Sequence, residues 1–350
     1  MSKKEWQPVP GRTFEQVDIP SGINLFVNND YKNLHNDVKK MKIHINYPHC
    51  NMQDDKVAFE GWSLIFHTKL NCEIVLSFES VNFNWSLVNL PAEKLDYDYM
   101  RFLYRVWKFA EQMPWFSIED ANYPMVEKFK TEFLQLKEQN LLINNRPTRE
   151  AQLSKSKSKS EHFFENAFVR HEGARELLMK ILREEDNIYL QNLYNQLPNG
   201  LFKGNLQKDI TEPNRIFPTG FFDMWGISED NELCLFELKV AGNHGEDVEN
   251  KSVGIISELY FYAQYCRDIF LEKKCNLRTT NHRGYDKLLS AAKKGIPKIK
   301  AYFLAPQYHA RIEENILKLE KCLNYNSPLI EYKFLKYDYE QVKAFVEEIR

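Results

Sequence analysis

Thr219-Gly-Phe-Phe-Asp-Met-Trp-Gly-Ile227, Ser228-Glu-Asp-Asn-Glu232 and Leu233-Cys-Leu-Phe-Glu-Leu-Lys-Val240 follow one another without a break. The outer segments are rich in aromatic and aliphatic residues, and the middle one is turn chemistry, so the stretch reads as a β-hairpin. A turn centred on Asp230 pairs Ile227 with Leu233, Trp225 with Leu235, Asp223 with Glu237 and Phe221 with Lys239. An apolar ladder then ends in two facing carboxylates. Side chains directly opposed on one face have Cβ atoms roughly 4.5–5.5 Å apart, and like charges there are destabilising. The expected compensation is a divalent cation.

Glu237 and Lys239 stand two apart on a strand and share a face, which places the ammonium beside the expected metal position. Hard oxygen ligands suit Mg²⁺ or Mn²⁺, whose remaining coordination positions go to water and substrate phosphate. A metal-bound water next to a lysine is an arrangement for phosphodiester hydrolysis.

These residues resemble the PD-(D/E)xK nuclease superfamily, with Asp223 and Glu237-Leu238-Lys239 as the motif. The resemblance covers roughly Ser160 to Lys336. It implies a restriction-endonuclease-like core: a helix, three antiparallel strands, a second helix and a further strand. It also implies that Asp223, Glu237 and the Leu238 carbonyl ligate Mg²⁺, and that Lys239 orients or activates the attacking water. A glutamate from the first helix often joins such a cluster, and of Glu161, Glu165 and Glu172 the expected one is Glu165, which borders the apolar stripe one turn before Phe168. Two departures from the pattern stand out. Thr-Gly-Phe-Phe separates Pro218 from Asp223, and RecB-like members carry a glutamine where this chain has Ile256 or Glu258.

Composition bounds the remainder. With 350 residues, 43% hydrophobic and 14% aromatic, the chain can bury two cores, so two domains are expected. The absence of any run near eighteen apolar residues, and of an apolar stretch after Met-Ser-Lys-Lys, predicts a cytoplasmic protein with no membrane partner. Six cysteines without Cys-x-x-Cys spacing read as reduced thiols. The net charge is −2, with 18 basic and 20 acidic residues up to position 153 and 29 of each after it. Nucleic-acid affinity would therefore come from local patches, the best being Lys273, Lys274, Arg278, Arg283, Lys287, Lys293, Lys294, Lys298 and Lys300, interrupted only by Asp286.

The tract Ser154-Lys-Ser-Lys-Ser-Lys-Ser160 has nothing to bury and reads as an exposed linker, 154–160, between an α+β domain (1–153) and a nuclease-like domain (161–350). Trypsin should cut there and release two folded pieces. In the first half, Val57 to Ser80 suggests two paired strands turning near Leu70-Asn71, and helices are expected over Asp96 to Met113 and Met125 to Asn140. Trp62, Trp85, Trp107 and Trp115 read as core rather than as base-stacking platforms. In the second half, one helix is expected from Ser160 to about Arg183, bearing His162 and His171 at a spacing unlike a zinc pair. Further expectations are a helix over Val253 to Glu272, strands at Lys298–Pro306 and Leu329–Leu335, and helices at Ala310–Leu323 and Tyr339–Ile349.

The expected function is Mg²⁺-dependent DNA hydrolysis. The first half would then recognise DNA or a partner protein, or form a homodimer, and a bacterial defence role fits by analogy. Two other readings stay open: a nuclease directed at RNA or single strands, and a non-catalytic binding module whose acids merely pair with Lys239.

Overall fold

The computed structural model describes residues 6–11, 13–14, 17–28, 39–80, 84–89, 96–144, 159–204, 214–218, 220–240, 253–273, 275–277 and 283–349. It is a mixed α/β structure built around two five-stranded mixed sheets flanked by helices.

In the first half the order is β1 (Gln7–Pro8), the ribbon β2 (Thr13–Phe14) and β3 (Val17–Asp18), β4 (Ile23–Val27), β5 (Lys40–Ile45), α1 (Phe59–Leu70), β6 (Glu73–Phe78), α2 (Tyr97–Gln112), β7 (Phe116–Ile118), α3 (Tyr123–Glu138) and β8 (Leu142–Asn144). The second half continues with α4 (Lys159–Arg170), α5 (Glu172–Asp186), β9 (Leu190–Pro198), β10 (Leu201–Lys203), β11 (Arg215–Phe217), β12 (Phe221–Ser228), β13 (Leu233–Leu238) and α6 (Gly254–Cys266). After it come α7 (Tyr285–Lys294), β14 (Ile299–Ala305), α8 (Ala310–Glu313), α9 (Ile316–Leu323), β15 (Ile330–Lys336) and α10 (Tyr339–Glu348).

The two large sheets have the same plan. The first runs β1-β4-β5-β6-β7, with β1, β4 and β5 antiparallel in turn and β6 and β7 added parallel after helices α1 and α2. The second runs β9-β12-β13-β14-β15, again antiparallel as far as β13 and parallel thereafter, with α6 and then α8–α9 as the connecting helices. Parallel neighbours need a crossover connection, and a helix supplies it each time.

Helices α1 and α6 pack against each other between the sheets, and one apolar core runs through both halves. Gly61 permits this approach, since a Cβ there would sit 2.9 Å from the Val253 carbonyl oxygen. Buried polar ties cross the same seam. Ser257 Oγ donates to Glu60 at 2.6 Å, a carboxylate that Arg105 Nε of the same half holds at 2.7 Å, and Tyr104 Oη donates to Asp268 at 2.8 Å. This shared core holds the halves together, so a cut in the linker tract would leave two associated pieces instead of releasing them. Residues 145–158, with most of that tract, lie outside the described residues, and Lys159 and Ser160 already belong to α4.

Three expectations are corrected. Phe59 to Leu70 is a helix and not a strand; every residue from Phe59 to Phe66 is buried, so no polar stripe marks the 3.6-residue period. Asn71, left-handed at φ 50°, ends it, with its N–H donating to the His67 carbonyl at 2.8 Å. The helix expected from Ser160 to Arg183 is broken at His171, whose extended backbone and side chain cap α5 by accepting from Ala174 N–H. Ala310 to Leu323 likewise divides into α8 and α9.

The strands at 299–305 and 330–336 and the helices at 97–112, 123–138, 254–266 and 339–348 lie where the periodicity places them. The helix at 254–266 continues as a π-helical turn over Arg267–Leu271. All six cysteines are free, and no helix among the described residues is long and apolar enough to cross a membrane.

Candidate active site

The hairpin forms in the expected register as far as Met224 with Phe236, with Ile227 paired to Leu233 and Trp225 to Leu235. The expected pairs Asp223 with Glu237 and Phe221 with Lys239 fall beyond the end of the registered ladder. One step further on, Asp223 leaves the ladder and its Oδ2 accepts the Leu238 N–H at 2.7 Å. Glu237 projects toward α6 and is 2% exposed. Lys239 follows at the strand end, where its N–H donates to the Leu304 carbonyl at 2.9 Å.

Lys239 Nζ lies 2.9 Å from Glu237, 3.0 Å from Glu258 and 3.2 Å from Glu161, so three carboxylates surround one ammonium. Glu258 comes from the second turn of α6, and Glu161 from the start of α4. Of the three glutamates weighed on the first helix, Glu161 reaches the lysine. Glu165 is buried one turn further along and meets His162 Nδ1 at 3.5 Å. Glu172, at the start of α5, is exposed.

Among the described residues, no three His, Cys, Asp or Glu side chains converge as the ligands of a metal do. The cation at the centre of this cluster is the lysine.

Charge balance dominates the electrostatics. Burial, followed by the fields of Glu161 and Glu165, pushes the Asp223 carboxyl well above the usual carboxylate range. Burial does the same to Glu237, reinforced by Asp223 and Glu258. Glu161 is raised to about 7, again by burial first. For Lys239, burial opposes the charge, but Glu161, Glu237, Glu258 and Asp223 outweigh it and hold the ammonium protonated. Glu258 is shifted down: burial is outweighed by the Lys239 ammonium, with Glu237 and Gln53 beside it acting in the same direction. Four carboxylates thus act on one ammonium, and Glu237 Oε2 is buried with no hydrogen-bond partner. Fully ionised, the cluster would carry more negative charge than Lys239 neutralises, which is why the carboxyls are held above their usual range.

This imbalance fixes the sign of a pH effect. A carboxylate whose folded pKa is raised binds more protons folded than unfolded, so its contribution to stability is full below the unfolded value of about 4.3 and is lost as pH rises through the folded one. The metal-free protein should therefore lose melting temperature between pH 5 and 8, the upper part of that loss following Glu161 near 7. In Glu161→Gln the decline should be shallower over the same range, as measured by thermal unfolding of both proteins in buffers without divalent ions. Identical slopes would show that Glu161 does not titrate there.

The first half borders the cluster. Asn51 and Gln53 precede α1, and the Asn51 amide oxygen accepts from Arg101 Nη2 at 3.2 Å. Asp55 Oδ1 accepts the Gly254 N–H at the start of α6 at 2.9 Å. Tyr262, one turn after Glu258, packs its ring 4.5 Å from Phe222.

The sequence reading did not place Glu258 or Gln53 in the cluster. Glu258 had a visible signal, being the sole charge within the apolar run Gly254 to Cys266. Gln53 had none, because a contact between the halves leaves no mark in either half's periodicity.

Other candidates recede. Trp62, Trp85 and Trp107 are core, and Trp115 stacks on His67 with centroids 3.9 Å apart. In the basic stretch, Lys298 and Lys300 both pair with Glu331 at 3.0 Å, and Lys300 also pairs with Asp186. Lys274 and Arg278 lie outside the described residues, as does the loop Gly242 to Gly245. Lys273, Arg283, Lys287, Lys293 and Lys294 remain as exposed cations.

No protein-family model matches the chain, and neither curated proteins nor solved structures give a match.

Proposed function

We propose that the chain is a metal-dependent nuclease of the PD-(D/E)xK type, hydrolysing phosphodiester bonds at the Asp223, Glu237 and Lys239 cluster. The observation that carries this reading is the excess of buried carboxylate. Asp223, Glu237, Glu258 and Glu161 face one ammonium, and a buried Glu237 oxygen has no hydrogen-bond partner. Buried charge without compensation is costly, and a divalent cation offsets it. The topology is consistent with a restriction-endonuclease-like core. Helix α4, antiparallel β9, β12 and β13, helix α6 and parallel β14 follow in the order that the resemblance implies.

Asp223, Glu237 and the Leu238 carbonyl would hold Mg²⁺ or Mn²⁺, with Glu161 or Glu165 of α4 completing the set. When bound, the ion supplies an acidified water and neutralises phosphate charge. Lys239 then orients the attacking water and holds the scissile phosphate, while Glu258 and Tyr262 line the same side.

One observation favours the non-catalytic reading: Lys239 already pairs with three of the acids. Incubating purified protein with labelled duplex DNA, single-stranded DNA and RNA, with and without Mg²⁺, separates the two. Cleavage that requires the metal is the expected result, and the preferred strand type identifies the substrate. No cleavage of any of the three, together with no shift of melting temperature by Mn²⁺, would mean a salt-bridged binding module.

A further inference from the structure

The catalytic half is repeated in the other half with its acids replaced. At the end of β13 the residues are Glu237, then Lys239, opposite Asp223. At the end of β5 the last registered pair is Ile23 with Ile45, and Tyr47 stands two residues on. The fifth residue of α6 is Glu258, and that of α1 is Ser63. Ile23 and Ile45 are buried apolar core.

The halves also meet in a self-matching way. Gly61 and Ile256 are each the third residue of their helix, and a Cβ on Gly61 would lie 3.6 Å from that of Ile256. Helix α1 packs on α9, and α6 meets α2 through Phe109 and Tyr260, whose ring centroids are 5.4 Å apart. These are the reciprocal contacts of an isologous interface between two copies. Here they fall within one chain, whose described residues carry the acid and lysine cluster in one half and apolar or neutral residues at the matching positions of the other.

We infer, building on the nuclease reading, that the substrate is duplex nucleic acid engaged across both halves and that each encounter cuts one strand only. A duplex presents two backbones related by local two-fold axes, and two-fold proteins match that symmetry. The pseudo-symmetric halves fit such a substrate, but only the Asp223 and Glu237 side can hydrolyse it. Water adds to phosphorus, one P–O ester bond breaks, and a water proton passes to the leaving oxygen; the products are one phosphate end and one hydroxyl end in a single strand.

The test is a time course of the full-length protein on covalently closed supercoiled DNA with Mg²⁺. Open circles should be the first product, with linear DNA arising only later from second nicks, and the initial rate should be first order in protein. Linear DNA formed from the outset would overturn single-strand cutting while leaving the nuclease reading intact. Cleavage of single strands but not of the circle would overturn the duplex substrate alone. Failure to cleave any nucleic acid would remove both readings.

Discussion

Asp223→Asn or Glu237→Gln is expected to abolish Mg²⁺-dependent cleavage in a protein that still folds. Each substitution keeps the volume and a hydrogen-bonding oxygen; an asparagine at 223 still offers an acceptor to the Leu238 N–H, now met at 2.7 Å. What is lost is a charged ligand. Metal ions contribute several kcal/mol of transition-state stabilisation, so the rate should fall by about 10³-fold or more. Stability should move the other way. Both acids are held above the usual carboxylate range by burial and by neighbouring acids, so neutral replacements remove repulsion from the metal-free state. The melting temperature without metal should be unchanged near pH 5 and raised near pH 8, and the stabilisation given by Mn²⁺ should disappear. Full cleavage combined with a clear loss of metal-free stability would make the acids structural.

Lys239→Ala should separate turnover from metal binding. Groups that position or activate water typically contribute about 10²–10⁴-fold in rate, and the loss should fall in that range under saturating Mn²⁺. Metal affinity should hold or rise, because the substitution withdraws a positive charge that lies within 3.2 Å of three carboxylates. Without metal the variant should be less stable than wild type, since breaking a buried ion pair typically costs about 3–5 kcal/mol. Mn²⁺ should recover much of that difference. Lys239→Arg should restore stability better than rate, because a planar fork cannot reproduce a compact ammonium. Wild-type turnover in Lys239→Ala, measured alongside Mn²⁺ titration calorimetry, would make the lysine a bystander.

Much of the second half was legible as sequence because its signals are local. The hairpin register follows from side chains alternating along two short arms, and the order of strands and helices after Ser160 follows from periodicity and caps. Local signals also misled. The helix over Phe59–Leu70 is buried on all sides as far as Phe66, so its sequence looks like an apolar strand. His171 breaks a helix that apolar spacing alone would continue.

Readable from the amino acids without any fold were the hairpin, the nearness of Asp223 to the end of the opposite arm, the shared face of Glu237 and Lys239, and the mixed α/β class. All of these depend on residues within one short stretch and on periods of two or 3.6 residues. Tertiary structure alone decided that Glu161 and Glu258 join Lys239, that Gln53 reaches the cluster from the other half, and that the two halves share one core and one plan. Those relations link residues up to about two hundred positions apart, Gln53 and Glu258 among them. Such pairs meet because apolar faces of separate elements must be buried together, and burial is a property of the packed whole that no local pattern records.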